Sequence, residues 1–171
     1  MKFEHLIVIN DPGNPLIVPL NRRQLWEGLL QRVYHPLPFL PGLESCTLLQ
    51  RDEAFLRREL DFGAARIRDR VTLAVEEWVH FEIEPGEQHP GGSLTIRIEE
   101  PAPEQLCLRF IYTTAMAAED QAYIEYVTSP YQQSDIDSVS LIPTLADWSP
   151  CQTNPCRRST VHPSETGRAH V

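Results

Sequence analysis

Between residues 43 and 115 the chain alternates apolar and polar positions in six runs. They are 43–51 (LESCTLLQR), 54–62, 65–75, 78–84 (WVHFEIE), 93–100 (SLTIRIEE) and 105–115 (QLCLRFIYTTA). A period of two is the mark of strands with one face buried. In the last run Leu106, Leu108, Phe110 and Tyr112 oppose Cys107, Arg109, Ile111 and Thr113. The connections are short or turn-rich, PGEQHPGG at 85–92 and PAPE at 101–104 among them. Six strands joined in this way predict an antiparallel meander rather than a parallel sheet.

The stretch AFLRRELDFGAARIRDRVTL at 54–73 predicts its own register. A two-residue turn at Gly63-Ala64 sets Phe62 opposite Ala65, Leu60 opposite Ile67, Arg58 opposite Asp69 and Leu56 opposite Val71. An oppositely charged pair therefore sits amid an apolar face. Two readings stand: a paired charge on a partly wet surface, or a polar anchor inside a cavity. An unpaired buried charge is costly, so the pairing matters under both. Arg68 and Arg70 alternate to the other face, toward solvent.

The next strand has two registers. A tight turn at Glu76-Glu77 puts Trp78 and His80 on the face of Leu73 and Val75. A shift of one residue buries Val79, Phe81 and Ile83 instead, which apolar content favours and which leaves His80 outside.

Three flanking elements complete the pattern. FEHLIVI at 3–9 reads as a first strand. Asn21 is a plausible N-cap for an amphipathic helix over 21–34, with Leu25, Leu29 and Val33 spaced by four. The helix stops before His35-Pro36, and the stiff connector PLPFLPG at 36–42 should dock Phe39 and Leu40. Residues 119–148 read as a second helical stretch. Tyr123, Val127 and Tyr131 are spaced by four, and Ile136, Val139, Ile142 and Leu145 by three. Pro130 and Pro143 should kink or split it, with Ser134-Asp-Ile-Asp137 as an internal N-cap. From Ser149 the periodicity vanishes, predicting one folded domain over 1–148 and a disordered tail over 149–171.

The expected architecture is α+β, a curved antiparallel sheet around a long C-terminal helix with a cavity between them. Composition narrows the partners. With 15 basic and 24 acidic residues the formal charge is −9, which disfavours nucleic acid and anionic membranes. No apolar run approaches the roughly 20 residues of a membrane span, and MKFEHLIVINDP is not a signal peptide. Cys46, Cys107, Cys151 and Cys156 form no C-x-x-C pair, so a reducing, cytoplasmic setting is expected. Cys151 and Cys156 with His162 and His170 match no zinc spacing. No nucleotide fingerprint, G-x-S-x-G or H-E-x-x-H occurs, and His89-Pro-Gly-Gly is a turn without phosphate-loop context, so neither metal nor cofactor is expected.

The element order, with FEHLIVINDP-GNPL, RRQLWEGL, PFLPGLESCTLL, RELDFG, IRDRV, HPGGSLTIRIEEP, LRFIYT and the terminal SPYQQSDID, resembles the START-like superfamily, also called SRPBCC or helix-grip. Within it the chain resembles the AtaL-like family over about residues 1–148. Pro130 and the cysteine-bearing tail depart from the pattern. The resemblance implies a cavity enclosing a small apolar ligand, with a secondary metabolite as one ligand class. Some superfamily relatives are cyclases or hydrolases.

From the faces and the resemblance, the expected cavity wall is Leu56, Leu60, Phe62, Ile67, Val71, Leu94, Ile96, Ile98, Leu108, Phe110 and Tyr112, with Arg58 and Asp69 as the polar pair. Arg58 could hold a ligand carboxylate or carbonyl while Asp69 orients it. Tyr112 reads as a core residue first and a ligand donor second. The expectation is non-catalytic binding of a small apolar molecule, with a homodimer left open. A cyclase or dehydratase, drawing on Asp69, Tyr112 or His80, and a packed domain without a cavity are the alternatives.

Overall fold

In a computed structural model the described residues are 2–87, 90–114 and 133–142. Seven strands form one antiparallel sheet: β1 (Lys2–Val8), β2 (Ser45–Arg51), β3 (Leu56–Asp61), β4 (Arg66–Ala74), β5 (Trp78–Ile83), β6 (Gly92–Glu99) and β7 (Cys107–Thr114). Their order is β1-β7-β6-β5-β4-β3-β2. The last six are the predicted meander; β1 adds to the far edge of β7, a pairing that the strand pattern did not specify.

Helix α1 (Arg22–Tyr34) crosses the inner face of this sheet. It begins with a complete capping box: the Asn21 side chain accepts from Gln24 N, and the Gln24 side chain accepts from Asn21 N. Leu25, Trp26, Leu29 and Val33 pack on Val79, Phe81, Ile96, Ile98, Leu108 and Phe110 in one core. Phe39 in the connector is buried in the same core, and Leu40 is half-buried.

The β3–β4 register is that set by the two-residue turn. Leu56 faces Val71, Arg58 faces Asp69 and Leu60 faces Ile67, with Phe62 N donating to Ala65 O at 2.9 Å. Gly63 sits at φ +80°, a conformation that a side chain would strain. At the next turn Glu76 takes φ +60° and Ala74 pairs with Trp78. Val79 and Phe81 are consequently buried, and His80 is on the opposite face with Nδ1 2.8 Å from Thr95 Oγ1. That outer face carries charge pairs, Arg57–Glu84, Arg68–Glu59 and Arg109–Glu99 among them.

A helical segment at 133–140, continued to Ile142, also packs against the inner face. Its buried residues differ from the predicted stripe. Ile136 is exposed, whereas Asp135, Ser138 and Ile142 are buried and Val139 partly so. Ser134 to Asp137 are themselves helical rather than a cap ahead of the helix. Ser138 Oγ donates to Phe39 O at 2.8 Å, tying the segment to the connector. Gly28 of α1 permits the approach: a Cβ there would stand 2.4 Å from Ile142 Cγ2. Tyr123, Val127, Pro130, Tyr131, Pro143 and the tail from Ser149, like Gln88 and His89, lie outside the described residues.

Candidate functional site

Between the open end of the sheet, the connector and segment 133–142 lies a cavity of about 350 Å³. Its apolar wall comes from Leu40 and Pro41 of the connector, and from Leu60, Phe62, Ile67, Phe81, Ile83 and Leu94 of the sheet hairpins. Arg32, Arg58, Asp69, Tyr112, Ser134 and Asp135 supply its polar lining. All the wall residues named from the sequence lie on the inner side of the sheet, but at two depths. Leu60, Phe62, Ile67, Leu94 and Tyr112 line the cavity together with Arg58 and Asp69. Leu56, Val71, Ile96, Ile98, Leu108 and Phe110 belong to the packed core.

The Arg58–Asp69 pair is not on a wet surface. Its side chains are 2% and 3% exposed. Arg58 Nε and one terminal nitrogen donate to the two Asp69 oxygens at 2.9 and 2.6 Å. The other terminal nitrogen donates to Val33 O at 2.7 Å and Arg32 O at 3.3 Å. These are carbonyls of the last turn of α1, where a cation also meets the negative end of the helix dipole. All three guanidinium nitrogens are therefore occupied by the fold itself. Phe81 adds a ring face at 5.2 Å. The cost of burying both charges is offset by this full set of partners.

A second polar cluster lies elsewhere on the cavity wall. Asp135 is buried and accepts from Tyr112 Oη at 2.6 Å. His5 Nε2 stands 3.2 Å from the same Asp135 oxygen, yet among the described residues neither ring nitrogen has an aligned hydrogen-bond partner. The His5 ring is stacked on Phe110 at 5.1 Å between centroids, which holds it in place. Arg32 reaches the other Asp135 oxygen only at 3.7 Å, and its guanidinium lies over the Phe110 ring at 6.0 Å. Burial pushes the Asp135 carboxyl above its ordinary value, against the pull of Arg32, Tyr112 and His5. Burial likewise lowers the His5 imidazole, outweighing the attraction of Asp135.

Sequence reasoning missed His5, Arg32 and Asp135. Two carried a local signal. Arg32 follows Leu25 and Leu29 at helical spacing, so it shares their buried face. His5 alternates with Phe3 and Ile7, which β1 sets opposite Tyr112, Phe110 and Leu108. Asp135 carried none, because its segment shows a more apolar face to solvent at Ile136. Of the three acid–base candidates, Asp69 is held by Arg58, Tyr112 by Asp135, and His80 faces away from the cavity. Among the described residues no group of three or more His, Cys, Asp or Glu side chains could hold a metal ion, and no helix is long and apolar enough to cross a membrane.

Among the described residues, helix α1 and a second helical segment held on the inner face of a seven-stranded antiparallel sheet match the START-like helix-grip fold. Solved structures share it at low identity. The Zhui aromatase/cyclase from Streptomyces sp. R1128 is 16% identical, covers 85% of this chain and 94% of its own, and superposes with a TM-score of 0.57. The di-domain aromatase/cyclase BexL from the BE-7585A biosynthetic pathway is 10% identical over 88% of this chain and 51% of its own, with a TM-score of 0.61. Ara h 8.0201 is 12% identical over 84% and 98%, with a TM-score of 0.57. Among curated proteins none matches the chain. The family model of acetylaranotin biosynthesis cluster protein L, AtaL, matches residues 7–147, and the chain belongs to that family.

Proposed function

We propose that this protein binds a small, largely apolar molecule in the cavity and does so without transforming it. The observation that carries this reading is a preformed space of about 350 Å³ with an apolar wall and few polar groups, the usual make-up of a small-molecule site. The neighbouring Arg58–Asp69 pair supports it by stiffening that wall. It ties β3 and β4 to the end of α1 and keeps the space open beside the packed core. The family's link to a biosynthesis cluster supports a secondary metabolite as the ligand class. Cys46 and Cys107 are both free thiols, which favours a reducing compartment such as the cytoplasm.

Binding of a neutral, apolar fluorescent dye tests the reading. The native protein should take up one dye per chain. Ile67→Trp, which places a large ring at a half-buried cavity position, should abolish uptake while leaving the thermal transition in place. Equal uptake by both proteins would overturn the assignment to this cavity.

One observation favours a second reading, a cyclase-type enzyme. Asp135 is a carboxyl on the cavity wall whose pKa burial raises against the pull of Arg32, Tyr112 and His5, the direction in which a general acid is tuned. With polyketide-like test substrates, turnover that is lost in Asp135→Asn while binding persists would favour the enzyme over the carrier.

A further inference from the structure

Two buried arginines line the cavity, and only one is committed to the fold. Every guanidinium nitrogen of Arg58 donates within the protein. Arg32 is 10% exposed at its side chain, yet among the described residues its guanidinium donates no hydrogen bond. Its ion-pair partner among the described residues is Asp135, 3.7 Å away, beyond hydrogen-bond reach. A guanidinium carries five N–H groups, and no Arg32 nitrogen is sealed away without a partner, so its donors stand open rather than shut away from all partners. The cavity is where a partner can reach them.

Resting on the cavity reading above, we infer that Arg32, rather than Arg58, is the ligand-anchoring cation, and that it takes a neutral carbonyl or hydroxyl oxygen on an apolar skeleton. The electrostatics argue for a neutral ligand. Arg32 and Arg58 face Asp69 and Asp135 around one space, so the formal charges cancel. An anionic ligand would gain from Arg32 but meet Asp135 directly beside it. A neutral oxygen accepts from Arg32 without that repulsion, and its own O–H, where it has one, can donate to the Asp135 oxygen facing Arg32. His5 and Tyr112 contact the other Asp135 oxygen and hold the carboxyl in orientation. Ser134 also borders the space.

Three probes of one shape separate the possibilities by equilibrium dialysis: acetylnaphthalene, ethylnaphthalene and naphthoate. The native protein should bind the ketone about tenfold more tightly than the hydrocarbon, the worth of one charge-assisted hydrogen bond. It should also prefer the ketone to the carboxylate. Arg32→Met should reduce the ketone's advantage over the hydrocarbon, measured in the same variant, to near unity. Arg32→Gln, which keeps neutral N–H donors, should retain part of the advantage, and it serves as the test if Arg32→Met loses its thermal transition. Equal binding of ketone and hydrocarbon by the native protein, or an undiminished preference in Arg32→Met, would overturn the role of Arg32. Tighter binding of naphthoate would overturn the neutral ligand. Failure of all three probes to bind would remove the cavity reading as well, whereas loss of the ketone preference alone leaves it standing.

Discussion

Arg58–Asp69 and Arg32–Asp135 are the same chemical pair, both buried and both on one cavity wall, but they are used differently. In the first, nitrogen and oxygen meet at 2.6 and 2.9 Å and the remaining arginine nitrogen caps the last turn of α1. In the second, they stand 3.7 Å apart and the arginine caps nothing. Residue type and burial do not distinguish a structural clamp from an open site. Hydrogen-bond saturation does, because it states which group still has a partner to find. The two pairs also touch: Arg58 donates to the backbone carbonyl of Arg32. The clamp thus fixes the backbone from which the open arginine projects.

Removing one member of the clamp should have the largest effect. Arg58→Met leaves Asp69 buried without its partner and strips two helix carbonyls of their donor, a loss of about 3–5 kcal/mol. Denaturant unfolding of Arg58→Met beside Arg32→Met checks the contrast, since the second breaks no hydrogen bond and leaves Asp135 its Tyr112 donor, and so should cost less. Comparable losses in the two variants would erase the distinction. The double change Arg58→Met with Asp69→Leu should recover much of the stability, since a well-packed apolar pair often replaces a buried ion pair at little cost.

The next effect concerns how segment 133–142 is held over the open pair. An alanine in place of a helical glycine ordinarily gains about 1 kcal/mol. Gly28→Ala should instead destabilise by about 1–3 kcal/mol, because its Cβ would lie 2.4 Å from Ile142 Cγ2. Pairing it with Ile142→Ala should relieve that overlap. A stabilised Gly28→Ala would overturn the close approach of Ile142 to α1.

The smallest effect is a pH dependence whose sign differs between neighbours. Burial raises the Asp135 carboxyl above 3.8, so the folded chain holds its proton more firmly than the unfolded one. Stability from this group is greatest in acid and falls as pH rises from about 3.8 through the folded value. Asp135→Asn should therefore gain on the native protein toward neutral pH and lose that gain in acid. The His5 ring, lowered from 6.5 by burial, works the other way: below about 6.5 the unfolded chain takes up a proton that the folded ring resists. His5→Phe should flatten that acid-side loss. Thermal melts between about pH 4 and 8 resolve both slopes, and an unchanged profile in both variants would show that the cluster does not titrate with folding.

The hairpin 54–73 shows what a sequence by itself can determine. A side-chain period of two and a two-residue turn leave one register, so the Arg58–Asp69 pairing was legible from the residues alone. So were the six-stranded meander, the capped helix and the outward face of His80, because each rests on contacts between neighbours in the chain. The depth of burial of the pair was not legible. It depends on how α1 lies across the sheet and offers its last carbonyls to Arg58. The open site depended on tertiary structure still more. His5, Arg32 and Asp135 come from β1, α1 and segment 133–142, and they meet because β1 adds to β7 and Gly28 admits Ile142. Local periodicity selects the face a residue occupies within its own element. Only the packing of distant elements decides which of those faces share a cavity, and which cation there keeps its hydrogen-bond donors open.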